Sequence, residues 1–263
     1  MNIVVLVKYV PDAQADRRFT GDNTTDRSGV DGLLSELDEY AVEEALKITE
    51  GQDDARVTVL TMGPATAEEA VKKALQMGAT DGVHVTDEAL AGSDALSTAL
   101  VLAEAVKKVD EVDLVLFGLS STDGTMGVVP AMVAELLGVP MVTLANSVEC
   151  SGETGGTVTI KRDTAEATQT IEATLPAVVS VTDQINEPRY PSFKGIMAAK
   201  KKTIESWSLA DLGVDAELVG LDNAWAQVDG TDQRPPREAG EVVTDEGDGG
   251  TKLAEFLAQR KFI

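Results

Sequence analysis

Runs of valine, isoleucine and leucine alternate, through the first half of the chain, with segments whose apolar residues recur every three or four positions. The runs are NIVVLVK (2–8), RVTVLTMG (56–63), GVHVT (82–86) and VDLVLFGL (112–119); the periodic segments cover 38–50, 66–78, 94–109 and 126–138. Strands that are apolar on both faces and are separated by amphipathic helices indicate a parallel sheet covered on both sides. The pattern predicts an α/β fold: a doubly wound, mostly parallel, Rossmann-like sheet. Ser93 is the expected N-cap of the 94–109 helix, Lys107 and Lys108 suit its negative end, and Gly78 and Gly138 are placed to end helices with positive φ.

After residue 140 the rhythm changes. MVTLANSVEC, the turn SGETGG, TVTIKRD and ATQTIEA predict an antiparallel hairpin attached to the sheet, with PAVVSVTD (176–183) returning as a core strand. Residues 205–255 hold thirteen acidic and three basic residues, the pair Pro235 and Pro236, and the stretch TDEGDGG. Such a segment cannot bury a core of its own. The last thirteen residues, TKLAEFLAQRKFI, put Leu253, Phe256 and Leu257 on one helical face, which needs something to dock on. The expected division is an α/β domain over 1–205 and a C-terminal extension, or arm, over 206–263.

Charge narrows the function. With 45 acidic and 22 basic residues the net charge is -23, which opposes nucleic-acid binding and repels anionic membrane. No run approaches the length of a membrane span, so membrane insertion is not expected. Cys150 is the single cysteine, which suits a reducing compartment, and the expected location is cytoplasmic.

Ordinary catalytic fingerprints are absent. His84, the sole histidine, sits within a short strand and is expected to be structural; GxSxG, GxGxxG and GxxxxGK[ST] do not occur. An enzyme with its own acid–base machinery is not indicated. An α/β sheet of this kind nevertheless binds ligands at the carboxyl ends of its strands, where VLVKYVPD, LTMGPAT and FGLSSTDGTMGVVPA converge. In the last, Gly118, Gly124 and Gly127 allow close approach, Ser120, Ser121, Thr122 and Thr125 supply hydroxyls, and a helix starting near Met126 offers free N–H groups. Two readings stand: a phosphate site, or a polar loop with glycines for turning. Asp123 would repel phosphate and is expected to cap the helix or meet a sugar hydroxyl.

One cluster runs against the overall charge. INEPRYPSFKGIMAAKKKTIE (185–205) concentrates Arg189, Lys194, Lys200, Lys201 and Lys202 and sets Phe193 after Pro188 and Pro191. Either Phe193 folds back onto the core above solvated lysines, or it is a displayed anchor, held by prolines and flanked by cations that steer an acidic partner.

These stretches together resemble the β subunit of electron transfer flavoproteins. NEPRYPSFKGIMAAKKK followed by DLGVD (211–215) looks like that family's signature, and ELDEYAVEEALK (36–47) with VTVLTMGPATAEEAVKKALQMGATDGVHV (57–85) is similar to its first helix and second βα unit. The resemblance implies a heterodimer with an α subunit that holds most of an FAD, electrons arriving from dehydrogenases such as acyl-CoA dehydrogenases and leaving to a quinone reductase. It implies AMP in the β subunit, or a second FAD in electron-bifurcating relatives that use NADH. By the same resemblance Leu6, Ser35, Asp38, Met62, Gly118, Asp123, Gly124, Thr125, Met126, Gly127, Val128 and Val129 contact the nucleotide. Arg189, Phe193, Ile196, Met197, Lys200, Lys201 and Lys202 belong to a recognition loop (187–202) for dehydrogenases. Ser35 stands where asparagine is frequent in the family, and MGVVPA where many members carry a Gln-Thr-Gly or Gln-Val-Gly stretch.

Overall fold

The computed structural model describes residues 1–237 and 239–263; Glu238, one of the acidic residues of the tail, lies outside them. The chain forms two units, Met1–Asp229 and Gly230–Ile263.

In the first unit the strands β1 (Asn2–Leu6), β2 (Tyr9–Pro11) and β3 (Gly32–Leu34) lead into helix α1 (Glu36–Thr49). Strand β4 (Arg56–Met62), helix α2 (Glu68–Met77), strand β5 (Asp81–Val85), helix α3 (Ala95–Lys108), strand β6 (Leu114–Phe117) and helix α4 (Val129–Leu137) continue the alternation. Then come β7 (Met141–Ala145), β8 (Ser147–Ser151), β9 (Thr157–Asp163), β10 (Thr168–Thr174) and β11 (Ala177–Val181). Helix α5 (Phe193–Ala199), strand β12 (Ile204–Trp207) and the short helix α6 (Leu209–Leu212) complete the unit.

Seven strands form one sheet in the order β12-β5-β4-β1-β6-β11-β7, and every pair in it is parallel. The doubly wound expectation is met. Alternation along β1 shows why: Ile3 and Val5 point into a core with Ala41, Val42 and Ala45 of α1 and Val71 and Ala74 of α2. Val4 and Leu6 point to the opposite face, against Val101, Leu102 and Ala105 of α3 and Val133 of α4. Each such side chain taken from water is worth about 2 kcal/mol, so both faces must be covered, and they are.

The segment after residue 140 is more divided than expected. Strand β7 runs parallel to β11 at the sheet edge, while β8, β9 and β10 make a separate three-stranded antiparallel sheet. Its Val158 and Ile160 are fully buried in the core shared with α1.

The helix ends are mostly as read. Gly78 (φ 137) and Gly138 (φ 68) terminate α2 and α4. Ser93 is not the cap of α3, however; Asp94 accepts from Ser97 N at 2.9 Å and caps it, while the Ser93 hydroxyl accepts from Gly220 N at 2.9 Å. Two adjacent residues each fit for an N-cap cannot be ranked without the tertiary contacts that claim one of them.

The second unit carries helix α7 (Gly249–Gln259). Asp245 shapes its approach by accepting from Gly247 N and Gly249 N, both at 2.8 Å. On α7 Leu253 is 58% and Phe256 39% exposed. Among the described residues no helix is long and apolar enough to cross a membrane.

Candidate functional site

The sheet order reverses beside β1: β4 lies on one side and β6 on the other. A crevice outside the carboxyl ends of β1 and β6, where the order switches, is where a doubly wound sheet takes a ligand. Three pieces of backbone meet there: the chain leaving β1 at Lys8, the entry to α1 at residues 35–38, and the loop 118–128 after β6.

Hydrogen bonds tie them together. Ser35 N donates to Lys8 O at 2.8 Å, and Lys8 N donates to Asp38 Oδ2 at 2.8 Å. Gly118 packs so closely that a Cβ there would fall 2.5 Å from Asp38 Oδ1 and 2.5 Å from Leu37 O; only glycine fits. Asp38 is buried, and burial pushes its carboxyl up to about 7, partly offset by the Lys8 N–H and charge.

Asp123 is the centre of the loop. Its side chain is 1% exposed and lies 2.8 Å from Lys8 Nζ and 2.6 Å from Arg27 Nη2. Burial alone would raise its pKa, but Lys8 and then Arg27 hold it well below the usual carboxylate range. It also accepts from Gly124 N at 2.6 Å. The expectation that Asp123 caps α4 is therefore corrected: its oxygens pair with two cations, and α4 begins only at Val129, after Val128, with no side-chain cap. The helix start expected near Met126 is corrected in the same way. Residues 124–127 instead turn through left-handed backbone at Thr125 (φ 53) and Gly127 (φ 66), a strained conformation for threonine.

Two buried hydroxyls at this crevice, Ser35 Oγ and Thr122 Oγ1, have no hydrogen-bond partner among the described residues. Buried polar atoms are nearly always satisfied, and these two stand out against that rule. Lys8, Arg27 and the carboxylate of Asp123 form a charged cluster on the same segments. Leu6 is buried at the end of β1, Met62 is half-buried at the end of β4, and Met126 is 62% exposed at the rim.

Lys8 and Arg27 were not among the residues singled out from sequence. Lys8 had a signal, being the first charge after a buried strand at the binding end of the sheet. Arg27 had none, because 96 positions separate it from Asp123.

The second surface lies elsewhere. Phe193 is 81% and Tyr190 93% exposed, so Phe193 does not fold back onto the core. Ser192 caps α5 by accepting from Gly195 N at 3.0 Å. Met197 is 43% exposed, Ile196 is half-buried, and Lys200 and Lys201 are exposed. Lys202 turns inward, its Nζ donating to Ala79 O, and Arg189 is engaged by Glu43 and Glu50.

The remaining reactive side chains are structural. His84 is 4% exposed, with Nε2 3.0 Å from Gly63 O. Burial pushes the Cys150 thiol up to about 11, away from nucleophilic use. Among the described residues no group of His, Cys, Asp or Glu is arranged to hold a metal.

Comparison with known proteins agrees with this layout. Residues 22–212 match the electron transfer flavoprotein domain. The chain is 48% identical, over 100% of its length and 99% of the relative's, to electron transfer flavoprotein subunit beta of Mycobacterium tuberculosis. It is 30% identical to the subunit of the same name from Megasphaera elsdenii, over 99% of this chain and 97% of that one. It is also 33% identical to the caffeyl-CoA reductase-Etf complex subunit CarD of Acetobacterium woodii, over 93% and 92%. With a family model covering most of the chain and end-to-end relatives, this protein belongs to the electron transfer flavoprotein family, as a β subunit.

Proposed function

We propose that this chain pairs with an electron transfer flavoprotein α subunit, forms one wall of an FAD site held mostly by that subunit, and binds AMP in the crevice between β1 and β6. The observation that carries the nucleotide reading is the pair of unpartnered buried hydroxyls, Ser35 Oγ and Thr122 Oγ1, beside the Lys8–Asp123–Arg27 cluster. Leu6, Ser35, Asp38, Met62, Gly118 and residues 123–129 would surround the nucleotide. FAD supplies the electron-carrying chemistry when bound; the chain itself contributes walls, charge and docking surface.

Electrons would arrive from dehydrogenases such as acyl-CoA dehydrogenases, docked at 187–202, and leave to a quinone reductase. Exposed Phe193 is the anchor in this reading, and Lys200 and Lys201 steer an acidic partner into transient contact. The work would take place in the cytoplasm. The extension 206–263 would lie on the α subunit through the exposed apolar residues of α7.

Co-purification with an α subunit, followed by extraction and chromatography of the ligands, tests the reading. One FAD and one AMP per heterodimer support it, and a colourless pair rejects it. Two FAD would instead favour the alternative of a bifurcating flavoprotein component with NADH as donor.

A further inference from the structure

Helix α1 carries two buried carboxylates that the nucleotide crevice does not use, Glu43 and Glu44, 5% and 4% exposed. A buried carboxylate must be paired. Both accept hydrogen bonds from the segment that leads to Phe193, Glu44 being paired as well with Lys47 of its own helix at 3.1 Å. Arg189 Nε donates to Glu43 Oε2 at 2.7 Å, Arg189 Nη2 to Glu43 Oε1 at 2.9 Å, and Arg189 N to Glu43 Oε2 at 3.1 Å. The same Nη2 reaches Glu50 Oε1 at 2.8 Å. Asn186 Nδ2 donates to Glu44 Oε2 and to Tyr40 O, each at 3.0 Å.

The guanidinium thus grips Glu43 with two side-chain nitrogens, a planar fork that lysine cannot reproduce. Pro188 and Pro191 stiffen the chain on both sides of Arg189. Beyond Phe193 a second attachment closes the frame: a Cβ on Gly195 would stand 2.4 Å from Gln76 O, so α5 is seated directly on α2. Phe193 and Tyr190 project from between these attachments with little freedom of their own.

We propose that Glu43 is a positioning residue for docking: through Arg189 it fixes the segment that displays Phe193, so that the anchor meets its partner already ordered. Arg189, though its side chain is 38% exposed, then acts by holding the segment to α1. This rests on the reading that 187–202 is the docking segment. An anchor whose backbone is fixed in advance avoids the ordering cost of binding, and loss of the clamp should weaken encounter while leaving electron transfer within the docked complex intact.

The test uses the αβ complex with an acyl-CoA dehydrogenase as electron donor, recording rate against flavoprotein concentration. Glu43→Gln keeps shape and removes charge; Arg189→Lys keeps charge and removes the fork. Each should raise KM for the flavoprotein about fivefold with kcat within about twofold and flavin content unchanged. The double variant Glu43→Gln with Arg189→Lys should be no worse than the poorer single, as for two members of one interaction. Unaltered KM in the singles, multiplied effects in the double, or a fall of kcat together with flavin content would overturn the proposal. Phe193→Ala separates the two levels: if it leaves KM unchanged, the docking reading fails, whereas a raised KM there with normal Glu43→Gln and Arg189→Lys removes only the positioning role.

Discussion

Arg27 and Asp123, 96 positions apart, meet at 2.6 Å, and the carboxylate that joins them is also 2.8 Å from Lys8 Nζ. The excursion between β2 and β3 is thereby pinned to the loop after β6. Asp123→Asn removes the charge from a side chain that is 1% exposed, while its partners remain 34% and 40% exposed. Partial exposure of the cations moderates the loss, and a decrease in unfolding free energy of about 2 kcal/mol is expected, read from urea titration. The bound nucleotide should be lost as well, which ligand extraction would show.

Acid should act through the same residue. The folded-state pKa of Asp123 lies below its unfolded value of 3.8, so its contribution is present above that value and declines as pH falls below it. Unfolding curves of parent and Asp123→Asn should converge on acidification through this range. A constant gap would contradict the charge pairing.

Asp38 has the opposite sign. Its folded pKa is raised, from 3.8 to about 7, so between those values the folded chain holds a proton that the unfolded chain releases. The contribution of Asp38 is fully present below the lower value and is lost as pH rises through the upper one. The stability of the parent relative to Asp38→Asn should therefore decline from pH 3.8 to about 7 and be level above it. A difference that stays flat across this interval would show the carboxyl to be ordinary.

Gly118→Ala places a methyl 2.5 Å from both Asp38 Oδ1 and Leu37 O. Neither the backbone carbonyl nor the buried carboxyl can move aside cheaply, and the expected loss is about 1–3 kcal/mol, seen as a lowered Tm. Gly138→Ala serves as the contrast: no atom lies within 4 Å of its Cβ, but φ is 68, so its cost is confined to backbone strain.

Removal of residues 241–263 should weaken the heterodimer without altering the α/β unit. Leu253, Phe256, Phe262 and Ile263 are 58%, 39%, 72% and 78% exposed, an apolar surface of the kind that marks an interaction site. Sedimentation of the truncated pair at decreasing concentration would reveal dissociation; an unchanged association constant would rule out the proposed arm.

The parallel core could be read from the chain because its signal is local: β1, β4, β5 and β6 are short apolar runs, and Gly78 and Gly138 end helices by a backbone property of glycine alone. The region after 140 was read less well, since periodicity distinguishes a strand from a helix but does not say which sheet it joins; β7 and β8 are neighbours in sequence and lie in different sheets. Within the crevice, Gly118 and Asp123 were visible in a glycine-rich loop. That Asp123 pairs with Arg27 and Lys8 rather than capping α4 was not legible, because both cations are distant in sequence. Likewise, nothing near Arg189 announces Glu43.

Between β11 and β12 in the sheet order lie four other strands, β6, β1, β4 and β5. The segment bearing Phe193 is the connection from β11 to β12, so it straps across most of the width of the sheet, fastened on the way to α1 through Glu43 and to α2 beside Gly195, and at its far end to β5 by the last strand.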